Sequence, residues 1–116
     1  MGRWLPVFVG VWLQGGRDVT VEGERNTSVP GLAVTPRHKC PGVFSTDRYV
    51  VTHIASGMTC TEGRYGYPHA QARELLLKFG EISPLWDYRD PRRVMTDAVL
   101  QAAMDLRESA VPDEEW

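Results

Sequence analysis

Only two cysteines and two lysines occur in this chain of 116 residues, and no apolar run reaches the length of a membrane span. So few cysteines exclude a disulfide-built secreted scaffold and leave at most one bridge. The longest apolar stretch, Trp4 to Leu13, contains Pro6 and Gly10 and falls well short of the roughly 20 residues that a spanning helix needs. One Arg precedes it and no small-residue cleavage pattern follows, so it reads as a first strand, not a signal peptide. The expectation is a cytoplasmic protein without a membrane segment. A strong charge excess is also missing. The net charge is −2 and the pI near 5.9, whereas a nucleic-acid domain usually carries a basic face. The CxxC and HxxxH knuckles are absent, as are the GxxxxGK[ST] and GxGxxG loops, which leaves zinc and nucleotide sites without a sequence signature.

The composition that is present is that of a globular domain, with 42% apolar and 24% charged residues. At this length a hydrophobic core forms without a metal or disulfide staple. The strands come first. Val7, Val9 and Val11 alternate in "WLPVFVGVWLQGG", with Phe8 and Trp12 on the other face, and Gly15-Gly16 ends the run. "RDVTVEG" returns as a second strand, and "GERNTS" is turn material. A third strand spans Leu32 to Thr35, with prolines at both ends that favour an edge position. "RHKCPG" reads as a loop.

"RYVVTHIASGMTC" then reads as a strand, a two-residue turn at Ser56-Gly57 and a returning strand. That register sets His53 opposite Cys60 on one face. Helical spacing follows in Ala70, Ala72, Leu75, Leu76 and Phe79, with Pro68 at the first turn and Gly80 as the stop. Asp90-Pro91 opens a second helix with Val94, Met95, Ala98, Val99, Ala102, Leu106 and Ala110 along one stripe. Strands first and helices last predict an α+β fold: an antiparallel sheet of four to five strands in the N-terminal two-thirds, with two helices packed on one face. Residues 1–110 form a single domain, and 111–116 an acidic tail. Residues 105–116 hold a local balance of −4, which leaves +2 for the rest.

Three functional readings compete. The favoured one is a small non-catalytic module that binds another protein, without a cofactor. Its candidate contacts are Trp86, Tyr88, Arg89, Arg92, Arg93 and Trp116, since aromatics beside Arg are the usual interface anchors. For Trp86 itself, packing in the sheet–helix seam is the favoured role. The second reading is nucleic-acid binding by Arg64, Tyr65, Tyr67 and Arg73, helped by the Arg89–Arg93 cluster, with Arg holding phosphates and Tyr stacking on bases. The third is a zinc-stabilised domain in which His38, Cys40, His53 and Cys60 form a tetrahedron. A Cys60 nucleophile activated by His53 is disfavoured, because nothing in the sequence supplies an oxyanion hole or a third member. Arg in place of Lys, with abundant Gly, Ala, Val and Pro, points to a high-G+C genome, such as that of an actinobacterium or its phage. A phage modulator of a host protein fits that composition, and a homo-oligomer is compatible with it.

Overall fold

The computed structural model describes residues 2–13, 17–40, 43–55, 57, 59–61, 66–82, 86 and 97–109. Four strands, β1 (Trp4–Leu13), β2 (Arg17–Asn26), β3 (Leu32–Cys40) and β4 (Val43–His53), precede two helices, α1 (His69–Ile82) and α2 (Asp97–Ser109). The strands form one antiparallel sheet in the order β1-β2-β3-β4. The fold is therefore α+β, as the element order predicts. No described helix is long and apolar enough to cross a membrane.

The sheet is two long hairpins joined by a narrow link. β1 and β2 pair along their whole length, whereas β2 meets β3 only at Glu24–Val34 and Arg25–Ala33. The turn between β2 and β3 is closed by Asn26, whose Oδ1 accepts hydrogen bonds from the Ser28 N–H at 2.9 Å and the Ser28 hydroxyl at 2.6 Å. Asn26-Thr27-Ser28 has the Asn-X-Ser pattern of a glycan acceptor, but the Asn26 side chain is buried in the folded chain. Gly31 follows at φ 97°, a left-handed position that glycine adopts without strain.

Each face of the sheet carries its own apolar cluster. On the helix side, Leu32, Val34 and Val51 pack with Val29, Tyr67, Trp86 and the α1 residues Ala72, Leu75, Leu76 and Phe79. Those four helix residues recur at the i, i+3, i+4, i+7 spacing of one buried stripe. Ala103 and Leu106 of α2 lie against this cluster. On the other side, Val9 and Val11 pack on Ala33, with Val7, Val19, Val21, Phe44 and Ile54 around them. The alternating valines of the first hairpin thus cover the back of the second.

Several local expectations are corrected. β3 does not stop at Thr35 but continues through "RHKC", so this stretch is strand and not loop, and β4 starts at Val43. β3 is also an inner strand, not an edge. Pro36 is tolerated there for a definable reason. Ile54 N–H donates to the Gly31 carbonyl, which fixes Pro36–Tyr49 as a pair without mutual hydrogen bonds and turns the Pro36 nitrogen away from β4. β2 pairs no further along β3 than Val34, so no donor is demanded of Pro36.

Gly80 does not end α1, which runs on to Ile82. It is instead the point of closest approach to Val29, since a Cβ there would lie 2.4 Å from a Val29 methyl. The start of the second helix at Asp90-Pro91 lies outside the described residues, and α2 is described from Asp97.

Candidate functional site

The His53–Cys60 hairpin is wider than a two-residue turn. Gly57 N–H donates to the His53 carbonyl at 2.8 Å, Thr52 bridges Thr59, and Cys60 N–H donates to the Val51 carbonyl at 2.7 Å. Cys60 therefore lies opposite Val51, two residues from the predicted register. Side chains alternate with period two, so this slip keeps Cys60 on the expected face. The cause is β3: His53 pairs with Leu32, which draws the end of β4 into the sheet before the chain turns. Gly57, at φ 72°, occupies the positive-φ position expected of it.

The four residues of the proposed zinc tetrahedron are not brought together. His38 pairs with Phe44, whereas His53 pairs with Leu32, six residues earlier on β3 and about 20 Å away at strand rise. His38 lies with its ring centroid 5.2 Å from that of Phe44, and its buried Nε2 has no hydrogen-bond partner among the described residues. The side chain of Cys40 lies outside the described residues. No three His, Cys, Asp or Glu side chains among the described residues are grouped to hold a metal. The His53 Nε2–H donates to the Trp86 carbonyl at 2.8 Å, a contact that spends the nitrogen a metal would use.

Cys60 is half-buried against the main core. Burial pushes its thiol up to about 12, although the His53 backbone N–H and the Arg107 charge favour the thiolate. A thiol in that state is a poor nucleophile at neutral pH. Alkylation of the native protein at pH 8, followed at the Cys60 peptide by mass spectrometry, should run about a thousand-fold slower than in denaturant. A thiol protonated in the fold but free to ionise once unfolded also makes stability fall as pH rises from about 9 toward 12.

Trp86 is 1% exposed. Its indole N–H donates to the Phe79 carbonyl at 2.8 Å, and its ring meets Phe79 edge-on at 5.9 Å between centroids. The Trp86 side chain is thus a core element, as the packing role anticipates, and presents no anchor at the surface. Tyr88, Arg89, Arg92, Arg93 and Trp116 lie outside the described residues, as do Arg64 and Tyr65 of the nucleic-acid reading. Tyr67 is 1% exposed and its backbone pairs with Tyr49, so its ring offers no stacking platform for a base.

Arg73 is held internally too. It donates to one Glu24 carboxylate oxygen and lies with its guanidinium carbon 4.7 Å from the Trp4 ring centroid. His69 meets the other Glu24 oxygen and sits edge-on to Tyr49 at 5.0 Å. This clip ties the first turns of α1 to β1, β2 and β4. Burial raises the Glu24 carboxyl, but the Arg73 and His69 hydrogen bonds and charges outweigh it and hold it below the ordinary value. Its stabilisation is present above about pH 4.5 and is lost as pH falls through the lower folded value. Glu24 and Arg73 are about one-third exposed and His69 more so, so Glu24→Gln should cost about 1 kcal/mol or less at neutral pH and flatten the acid limb of a stability–pH curve.

Among the described residues, the outer edge of β1 has no strand partner. Thr27 N–H donates to the Arg3 carbonyl, and the β1–β2 register is unbroken from Trp4–Asn26 to Leu13–Arg17. Alternation then directs the backbone groups of Leu5, Val7, Val9 and Val11 to β2, and those of Trp4, Pro6, Phe8, Gly10 and Trp12 outward. Pro6 sits where its missing N–H breaks no bond to β2. Phe8 is 73% exposed, Pro6 and Gly10 are exposed beside it, and no charged residue occurs between Trp4 and Leu13. In the sequence the signal of this edge is Phe8 alternating against the three valines in a strand without charge. Comparison with family profiles, curated proteins and solved structures finds no match to this chain.

Proposed function

We propose that this protein is a small non-catalytic protein-interaction module whose contact surface is the outer edge and outer face of β1. The observation that carries this reading is Phe8, 73% exposed on an uncharged strand whose outward backbone groups are unpaired within the sheet. Exposed edges are usually blunted by Lys, by charge or by covering loops, and β1 carries only Pro6. A partner strand added there would gain main-chain hydrogen bonds, while Phe8 would supply side-chain selectivity. The raised Cys60 thiol and the internal engagement of His53 and His69 support a role without catalysis. Composition supports a cytoplasmic accessory protein of a high-G+C bacterium or its phage.

The test is nuclease-treated capture with tagged protein, comparing wild type with Phe8→Glu. Phe8 faces solvent, so the variant should fold and retain about a tenth or less of the bound protein. Equal capture by both would remove β1 as the surface. Capture that vanishes with nuclease would restore the nucleic-acid reading.

A further inference from the structure

We infer that the partner taken by the β1 edge is a second copy of this chain, paired antiparallel to β1 about a twofold axis through Phe8. This rests on reading the β1 edge as the interface and names its occupant. An isologous contact requires a surface complementary to itself. The sequence of β1 has that property. Read outward from Phe8, Val7 is matched by Val9, Pro6 by Gly10, Leu5 by Val11 and Trp4 by Trp12. In the symmetric pairing Phe8 faces the partner's Phe8, Trp4 faces the partner's Trp12, and Pro6 faces the partner's Gly10.

The backbone agrees with this register. The residues that would exchange hydrogen bonds across the axis are Trp4, Phe8, Gly10 and Trp12, whose amides point away from β2. Pro6 removes one bond from each Pro6–Gly10 pair and leaves the Phe8 and Trp4–Trp12 pairs complete. Side chains match as well. On the inner face the half-buried Leu5 and Val7 would extend the valine cluster onto the partner's Val11 and Val9. On the outer face the two Phe8 rings, at cross-strand spacing of about 5.5 Å, would cover one another. With no charge in β1, no repulsion opposes the approach.

The pairing would also stop at two copies. The opposite edge of the sheet, along β4 from Tyr49 to Thr52, is covered by the Tyr49–Tyr67 and Thr52–Thr59 bridges. A twofold contact uses the β1 edge of both copies at once, so the pairing itself leaves no β1 edge to extend into a fibre.

Sedimentation equilibrium of the full chain should give a dimer at micromolar concentration. Phe8→Glu and Phe8→Lys should each weaken dimerisation by about 100-fold, since like charges meet at the axis. An equimolar mixture of the two variants should restore the dimer, because only a contact of residue 8 with its own copy pairs Glu with Lys. Circular dichroism of each variant confirms the fold. A wild type that stays monomeric at about 100 µM overturns the inference, and so do variants that remain dimeric. If the wild type is monomeric while Phe8→Glu still loses capture of another protein, the interaction surface stands and only the self-pairing fails.

Discussion

Trp86→Ala should cost about 3–5 kcal/mol, a large share of the stability that a domain of this size possesses. The expected magnitude comes from three roles that meet in one side chain and its carbonyl. The indole is buried edge-on to Phe79 in the helix-side core that also holds Leu32 and Val51. Its N–H satisfies the Phe79 carbonyl, one of the last four of α1 and therefore without an acceptor role inside the helix. Its own carbonyl accepts a hydrogen bond from the Nε2–H of buried His53. Truncation leaves a cavity and an unsatisfied helix end, and loosens the segment that holds His53. Trp86→Phe keeps most of the ring and loses the N–H, so it should cost about 1–2 kcal/mol. Urea midpoints of the two variants check the ordering, and a Trp86→Ala protein as stable as wild type would remove Trp86 from the core.

Two glycines of the first hairpin should respond with opposite signs. At Gly23 an added Cβ would lie 2.5 Å from the Val34 carbonyl oxygen and 3.0 Å from the Thr35 methyl. Both belong to β3, at the corner where the first hairpin folds over the second. The nearest atom is backbone, and it cannot retreat without opening the short Glu24–Val34 and Arg25–Ala33 link that joins the two hairpins. Gly23→Ala should therefore cost about 2 kcal/mol, and Gly23→Val more. At Gly10, nothing lies within 4 Å of the added Cβ. Neither glycine has a positive φ. Gly10→Ala should be neutral or stabilise by about 0.5–1 kcal/mol, through the backbone entropy that glycine loses on folding. Denaturant midpoints of both variants measure the contrast. Equal effects would mean that the corner is not tightly closed.

Local pattern carried much of the architecture. Alternating valines in "VFVGV" specify β1, and the Ala72, Leu75, Leu76, Phe79 spacing specifies α1. The features that were not legible depend on contacts distant in sequence. Polar "RHKC" between two prolines looks like a loop, and becomes strand only because β4 pairs with it as far as Cys40–Val43. The predicted His53–Cys60 register missed by two residues, because the pull of Leu32 on His53 is invisible within the hairpin itself. The Glu24–His69 contact spans 45 residues and leaves no local trace.

The site was legible in the same limited way. Tyr67 and Arg73 looked available for nucleic acid because their sequence neighbours are polar. The fold spends one in the core and the other on Glu24. The alternation places Phe8 opposite the three valines but does not tell whether that face is covered, and at Phe8 it is open.

The interaction surface is defined by which β1 backbone groups face outward and by whether a partner takes them. Residue-resolved amide exchange measures both. The amides of Val7, Val9 and Val11, directed to β2, should exchange slowly whether or not a partner is present. Those of Phe8 and Gly10 should exchange fast in dilute protein and slow by at least about ten-fold when the edge is occupied. Phe8 and Gly10 amides that stay fast with the partner bound would contradict the account.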